Sequence, residues 1–307
     1  MEHQAETQAP QGLDDELFAT GYRKSLELMT ECASEHGFLA SPTELNNYRR
    51  VWGRDGCILG IAALRSGEHH LIEACRRTIE TLAKYQGPHG EIPSNVDPQT
   101  QRVSYGGTAG RVDANLWFVI CAVDYCITTN DNDFLQQLTD TLERVRFLLG
   151  AWEFNTRGLL YVPLTGDWAD EYVQSGYVLY DQLLYLQALR SYCDMHYRLH
   201  ASSDHQLMAR ANRLRHLIRS NYWLLASGKV PADAYHEALF SKSDGAVQRC
   251  RNRHWVPFFS PAGYGYRFDT MANALVSLLG VADKRRWQKV DEYVAQEVVQ
   301  EEVMVLP

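Results

Sequence analysis

DANLWFVICAVDYCITTNDNDFLQQLTDTLERVRFLLGAW, residues 113–152, is the stretch that decides the fold. Two apolar-periodic segments, Asp113–Thr128 and Phe134–Trp152, flank Thr129-Asn130-Asp131-Asn132-Asp133, a run of turn-forming residues. The spacing predicts two helices joined by a tight turn. Working outward, the same arrangement recurs. Tyr180–Leu199 and His205–Leu225 stand either side of Ala201-Ser202-Ser203-Asp204, and Phe268–Leu279 and Lys284–Val299 either side of Gly280-Val281-Ala282-Asp283. Upstream, Asp55–Leu64 and His69–Tyr85 are separated by Gly67, with Leu71, Ile72, Cys75, Ile79 and Leu82 along the second. Leu13–His36 places Leu17, Tyr22, Leu26 and Met29 on one face, with Gly37 as its expected C-cap.

About nine helices result, most of them paired by short connections. Long segments rich in Gly, Pro and aromatic residues, 37–53, 86–112, 153–179 and 226–267, lie between the pairs. Alternating short and long connections are what stacked helical hairpins produce when the long loops gather on one rim of a ring, so an all-α toroid is expected. Arg102–Tyr105 and Leu159–Val162 lean towards strand and predict small hairpins at that rim. With no linker-like break, residues 13–307 read as a single domain behind a disordered tail, residues 1–12.

Composition narrows the function classes. Thirty Lys and Arg against 38 Asp and Glu give a net charge of −8, and no basic block stands out, which argues against a nucleic-acid partner. No apolar run approaches the roughly 20 residues of a membrane span, and the polar N-terminus lacks the apolar core of a signal peptide. Seven scattered cysteines form no CxxC and no zinc-type spacing with histidine. They read as free thiols, Cys75, Cys121 and Cys193 inside apolar helices, and point to a cytoplasmic protein. Nothing calls for a metal or cofactor, and the oligomeric state is not encoded in any visible pattern.

Four loop segments combine an indole or phenol with carboxylates or arginine: Tyr48–Asp55, Gly90–Val96, Gly110–Phe118 and Gly166–Tyr172. Such mixtures suit carbohydrates, because aromatic faces stack on sugar rings while charged groups bind hydroxyls in directed pairs. Glycoside hydrolysis also requires two carboxyl groups, and Asp55, Glu91, Asp113, Asp167, Asp170 and Glu171 are available. Each has a structural alternative. Asp55 and Asp113 precede apolar helices, where an Asp N-cap is routine. Trp52 and Trp168 could be core, and Asp170-Glu171 a solvated pair. His236 and His254 lack any metal-ligand spacing.

The ordered set of motifs resembles the six-hairpin (α/α)6 glycosidases, the families of amylo-α-1,6-glucosidases, alkaline/neutral invertases and trehalases. Trp52-Gly53-Arg54-Asp55 is similar to their W-x-R-D loop, and Gly90-Glu91-Ile92-Pro93-Ser94-Asn95-Val96 to their G-x-I-P-x-x-V loop. Val112-Asp113-Ala114-Asn115-Leu116-Trp117-Phe118 resembles the motif that opens their fourth helix, and Asp167-Trp168-Ala169-Asp170 the D-W-x-D loop before the sixth. Tyr180–Leu189 and Arg267-Phe268-Asp269-Thr270 fit the sixth and eighth helices.

The resemblance implies inverting hydrolysis of an α-glucosidic bond in an oligosaccharide or small glucoside, with Asp113 as general acid. It places Trp52, Arg54, Asp55, Glu91, Asn95, Trp117, Asp167, Trp168 and Asp170 around the sugar. The family's N-G-G-x-W-P-like segment and late catalytic Glu have no counterpart after Phe268. The expectation is therefore a C-terminally truncated ring, about nine of twelve helices, weakly active or inactive, with Glu171 as the candidate substitute base. A non-catalytic carbohydrate-binding remnant and an epimerase-like toroid using His89, His236 or His254 are the alternatives. Asp113 also poses a problem: a helix N-terminus stabilises its anion, so burial or a neighbouring carboxylate, Asp55 or Asp170, must restore its proton.

Overall fold

The computed structural model describes residues 15–44, 46–225, 230–250 and 252–298. The expected tail, residues 1–12, lies outside them. Eleven α-helices occur among the described residues, and nine of these have nine residues or more: α1 (Asp15–Cys32), α2 (Gly53–Ser66), α3 (His69–Lys84), α4 (Val112–Thr128), α5 (Asn132–Ala151), α6 (Leu179–His200), α7 (His205–Asn221), α10 (Thr270–Leu278) and α11 (Lys284–Tyr293). The two short ones are α8 (Glu237–Phe240) and α9 (Asp244–Cys250).

Successive helices pack as hairpins α2/α3, α4/α5 and α6/α7, and α10 is followed by α11 across a short turn. Their first members stand side by side, α4 packed between α2 and α6, and α6 against α10. This inner row is apolar nearly all round. Every residue of α4 from Val112 to Val123 is buried, as is every residue of α6 from Leu179 to Leu186. Outer helices bury one stripe only, such as Phe134, Leu135, Leu138, Leu142, Val145, Leu148 and Leu149 of α5. The sequence expectation of an all-α arrangement of helical hairpins holds.

Short turns close the hairpins with ordinary end chemistry. Gly67 (φ 74°) ends α2 in the left-handed conformation, which costs glycine no Cβ clash. Asp131, Asp204 and Asp283 cap α5, α7 and α11 by accepting backbone N–H groups. The long loops enter the inner helices and are pinned there by amide side chains. Asn115 accepts Ile92 N–H at 2.8 Å, Gln182 brackets Leu160 N–H and C=O at 2.9 Å each, and Asn273 accepts Trp255 N–H at 3.0 Å. One device therefore recurs at three inner helices, bringing each loop to the same rim.

Strands are brief and confined to that rim: β1 (Ala33–Ser34) with β2 (Gly37–Phe38); β3 (Val51–Trp52), β4 (Asn95–Val96) and β5 (Val103–Ser104) in one sheet; β6 (Tyr177–Val178), β7 (Phe258–Ser260) and β8 (Gly263–Tyr264) in another, all antiparallel. β5 confirms the strand tendency of Arg102–Tyr105. Of Leu159–Val162 only Val162 pairs, in a single bridge to Gly176.

Several expected boundaries are corrected. α1 ends at Cys32 rather than His36, and Gly37 is not its cap. Gly37 sits in the β1–β2 hairpin at φ 109°, where a Cβ would lie 2.4 Å from Thr78 Oγ1 of α3. α7 stops at Asn221, α10 starts at Thr270, and α11 gives way at Val294 to a π turn. Segment 226–267, read as loop, contains α8, α9, β7 and β8; helices this short carry too little periodicity to be recognised.

Candidate active site

α2, α4 and α6 run with their N-termini together at the rim, and each carries an aspartate in its first turn: Asp55, Asp113 and Asp181. The capping explanation for Asp55 and Asp113 fails. The N-cap residues of α2 and α4 are Trp52 and Arg111, and neither helix start has a side-chain cap. Asp113 instead lies fully buried in the site. Its Oδ2 accepts from Arg54 Nη1 at 3.1 Å, and its Oδ1 has no hydrogen-bond partner. A buried acceptor without a partner is costly, and active sites are where such groups persist.

Burial pushes the Asp113 carboxyl above the usual carboxylate range; Arg54 opposes this, and the charge of Asp167 adds to it. The like charge therefore comes from Asp167. Asp55 and Asp170, expected to supply it, are each beside an arginine. Asp55 Oδ2 lies 3.6 Å from Arg54 Nη2, and Asp170 pairs with Arg111. Arg111, which immediately precedes α4, also donates to Thr165 O, and Val112 N–H donates to Gly166 O at 2.7 Å. These bonds drape the 163–176 loop across the start of α4 and set Asp167 near Asp113.

Asp167 is buried, accepting from Ala169 N–H and from Gln174 Nε2, both at 2.9 Å. Trp168 is 39% exposed and edges against buried Tyr180, with exposed Tyr172 beside it. On the opposite loop Trp52 stacks on Tyr48, ring centroids 5.6 Å apart and planes 19° apart. Two aromatic pairs thus flank the carboxyl cluster's rim. Trp117, one turn along α4 from Asp113, is buried and donates to the Tyr180 hydroxyl at 2.8 Å. Its ring belongs to the support of the site. Asn95 is buried opposite Trp52 in the β3–β4 pair and accepts from Arg50 at 3.2 Å. Glu91 accepts His89 N–H at 2.9 Å and faces Tyr105 and Arg111 around a cavity of about 350 Å³, so it does not join the Asp113 cluster. Glu171 is exposed on the 163–176 loop and has no hydrogen bond or ion pair among the described residues.

Three further groups beside Asp113 and Asp167 are not singled out by the sequence. Asp181, fully buried on α6, has neither oxygen hydrogen-bonded, and burial raises its carboxyl well above the ordinary range. Tyr180 lies between Trp117, Trp168 and Asp113, its hydroxyl pushed up by burial. Asp269 caps α10 and adds its charge to the cluster. The available signal was positional: an Asp at the start of each apolar inner helix. No described group of His, Cys, Asp or Glu has the arrangement of a metal site. His254 packs between Phe268 and Tyr293, His236 caps α8, and the side chain of His89 has no partner in the cluster.

A family model described as amylo-α-1,6-glucosidase matches residues 39–213, a span that contains Asp55, Asp113, Asp167 and Asp181. A glycosyl hydrolase of Methanocaldococcus jannaschii, itself uncharacterized, is 25% identical over 131 residues, 43% of this chain and 20% of that protein. The chain thus matches about a fifth of that relative's length. Among solved structures, a GH78 family rhamnosidase of Bacillus sp. GL1 superposes with a TM-score of 0.64 at 14% identity, over 92% of this chain and 26% of the enzyme. A rhamnosidase from Klebsiella oxytoca with rhamnose bound gives 0.61 at 14% identity, over 88% and 46%. These two likenesses concern the fold. By the family match, which spans more than half its length, the chain belongs to the amylo-α-1,6-glucosidase family of glycoside hydrolase-like proteins.

Proposed function

We propose that this domain hydrolyses an α-glucosidic bond of an oligosaccharide or small glucoside with inversion, Asp113 acting as general acid. The observation that carries the reading is Asp113 itself: buried, held by Arg54 through one oxygen, and with the other oxygen unpartnered. A general acid must hold its proton near working pH and point a free oxygen at the leaving group. The raised carboxyl meets the first need and unpartnered Oδ1 the second. Arg54 and Asp55 offer charged groups to sugar hydroxyls, and the Tyr48–Trp52 and Trp168–Tyr172 pairs offer aromatic faces for the ring. Trp117, Asn95 and Asp167 hold these groups in place, while Asp170 fixes the loop through Arg111. Glu171 is the candidate base that activates water, its carboxylate unpaired on that same loop.

The test is release of glucose from a panel of α-1,4- and α-1,6-linked gluco-oligosaccharides, followed by proton NMR. Inversion predicts β-glucose as the first product. First appearance of the α-anomer contradicts inversion, and saturable oligosaccharide binding without turnover contradicts hydrolysis.

A further inference from the structure

Glu91, which does not join the Asp113 cluster, stands at a second built site. It faces Tyr105 and Arg111 across a cavity of about 350 Å³ whose walls also include Asn115, Leu148 and Trp152. That volume falls within the roughly 300–1,000 Å³ of small-molecule sites. Asn115 stands two positions after Asp113, about 200° round α4, so the cavity lies on the opposite face of that helix from the candidate acid. The loop that carries Glu91 is fixed by α5. Arg144 Nη2 donates to Gly87 O at 2.8 Å and to Pro88 O at 3.0 Å, and Gln86 Nε2 donates to Gly90 O and to Thr141 O, both at 3.0 Å. From α4, Asn115 accepts Ile92 N–H at 2.8 Å and donates to Arg111 O at 2.7 Å. Gly87 makes room for the carboxylate: a Cβ there would lie 2.5 Å from Glu91 Oε2 and 3.1 Å from the Tyr105 ring. Glu91 Oε2 accepts His89 N–H at 2.9 Å, and its Oε1 has no hydrogen bond among the described residues. The Tyr105 hydroxyl donates to Tyr85 O at 2.8 Å, so that residue offers the cavity its ring carbons.

We propose that this cavity binds one neutral sugar ring, at a site separate from the Asp113 cluster. Glu91 and Arg111 place one charge of each sign on its wall, so neither an anion nor a cation gains net attraction there. A hydroxyl does gain, because Glu91 Oε1 accepts from it in a charge-assisted bond. Tyr105, Leu148 and Trp152 supply the apolar wall against which the C–H face of a sugar ring packs. Arg111 ties the cavity to the rim, since the same guanidinium pairs with Asp170 and donates to Thr165 O on the 163–176 loop. A sugar held against Arg111 therefore bears on the loop that carries Asp167 and Trp168. The site goes beyond the hydrolytic reading and does not need Asp113 to be the acid.

Fluorine NMR of the full chain labelled with 5-fluorotryptophan tests this without any assay of turnover. The Trp152 resonance is the one missing from Trp152→Phe, and D-glucose is the probe. Titration must shift that resonance saturably in the unaltered chain. Glu91→Gln removes the charged acceptor, so the same shift must require at least about tenfold more glucose. Leu148→Phe keeps Glu91 but adds a ring to the cavity wall, and it must abolish the response; this second variant serves should Glu91→Gln fail to fold. A Trp152 resonance that glucose leaves unmoved, or a response indifferent to these substitutions, overturns the proposal. A response to tetramethylammonium at lower concentration than to glucose would make this a cation site and overturns it as well. Trp52 and Trp168 report on the Asp113 cluster through their own resonances, so failure of the hydrolytic reading leaves the Trp152 result as stated.

Discussion

Arg54 and Asp113 meet across the gap between two helix N-termini, Nη1 3.1 Å from Oδ2, and this pair ties α2 to α4 at the centre of the carboxyl cluster. Both helix ends present positive dipoles to Asp113, and Arg54 adds a full charge, so three influences favour its anion. Burial and Asp167 oppose them, and the balance leaves the carboxyl above its ordinary range.

Replacing Arg54 by Leu shifts that balance further. With the cation gone, the Asp113 proton is held more tightly, and the alkaline limb of the hydrolysis profile moves up by about 1 pH unit or more. Turnover at the optimum falls by about 100-fold, because the sugar loses a charged partner and the acid loses its orientation. A profile whose alkaline limb stays in place would separate Arg54 from the acid.

Gly53 is required by a close approach. A Cβ there would lie 2.6 Å from Pro93 O and 3.1 Å from the Ala114 side chain of α4. Gly53→Ala must push the start of α2 away from the Pro93 backbone and crowd Ala114 of α4, costing about 1–3 kcal/mol and misplacing Arg54 in the next position. Chemical denaturation and turnover should both register the change; a variant of native stability and activity would show that the two helix starts are freely adjustable.

The loop pins are testable as stability elements. Asn115→Ala leaves Ile92 N–H buried without an acceptor, and Gln182→Ala does the same to both backbone groups of Leu160. Each costs about 2–3 kcal/mol in urea unfolding. A loss below about 0.5 kcal/mol would show that the loops hold their places without these amides.

Two sets of carboxyls set the expected pH dependence of stability. Asp167, Asp181 and Asp269 are raised by burial, so their contribution is full below the unfolded carboxylate pKa of about 3.9 and is lost as pH rises through each folded value. Asp97, Asp131, Asp204 and Asp283 are lowered, chiefly by hydrogen bonds from nearby backbone or side-chain groups, and their contribution is lost as pH falls through their folded values. Thermal midpoints should therefore rise from pH 8 towards about pH 5 and drop below about pH 4. A midpoint that climbs steadily from pH 5 to pH 8 would mean that the buried carboxyls are ionised.

How far the sequence discloses this arrangement depends on range. The apolar periodicity of α3 and α5 and the turn residues between paired helices are local signals, and they locate the hairpins within a few residues. The cap of α7 at Asp204 follows from the same local chemistry. Gly37 shows the limit. A glycine after a helix reads as a cap, yet its role is contact with Thr78, which is 41 positions away in the chain. Asp55 and Asp113 look like caps for the same reason, and only the convergence of α2 with α4 shows that neither caps its helix and that Asp113 meets Arg54. Asp181 is hidden because the charges that act on it, Asp113 and Asp167, come from another helix and from a loop held by Arg111. Two-residue strands such as β4 and β6 are products of loop convergence and leave no pattern of their own.

Hydrolysis of α-glucosyl fluoride, set beside hydrolysis of an α-1,6-linked glucose disaccharide, isolates the proton that Asp113 would deliver. Fluoride departs without a proton, whereas the sugar alkoxide needs one from the general acid. With Asp113→Asn, the rate should fall by about 10²–10⁴-fold on the disaccharide but by less than about tenfold on the fluoride. Equal losses on both substrates, or full activity on the disaccharide, would contradict Asp113 as the acid.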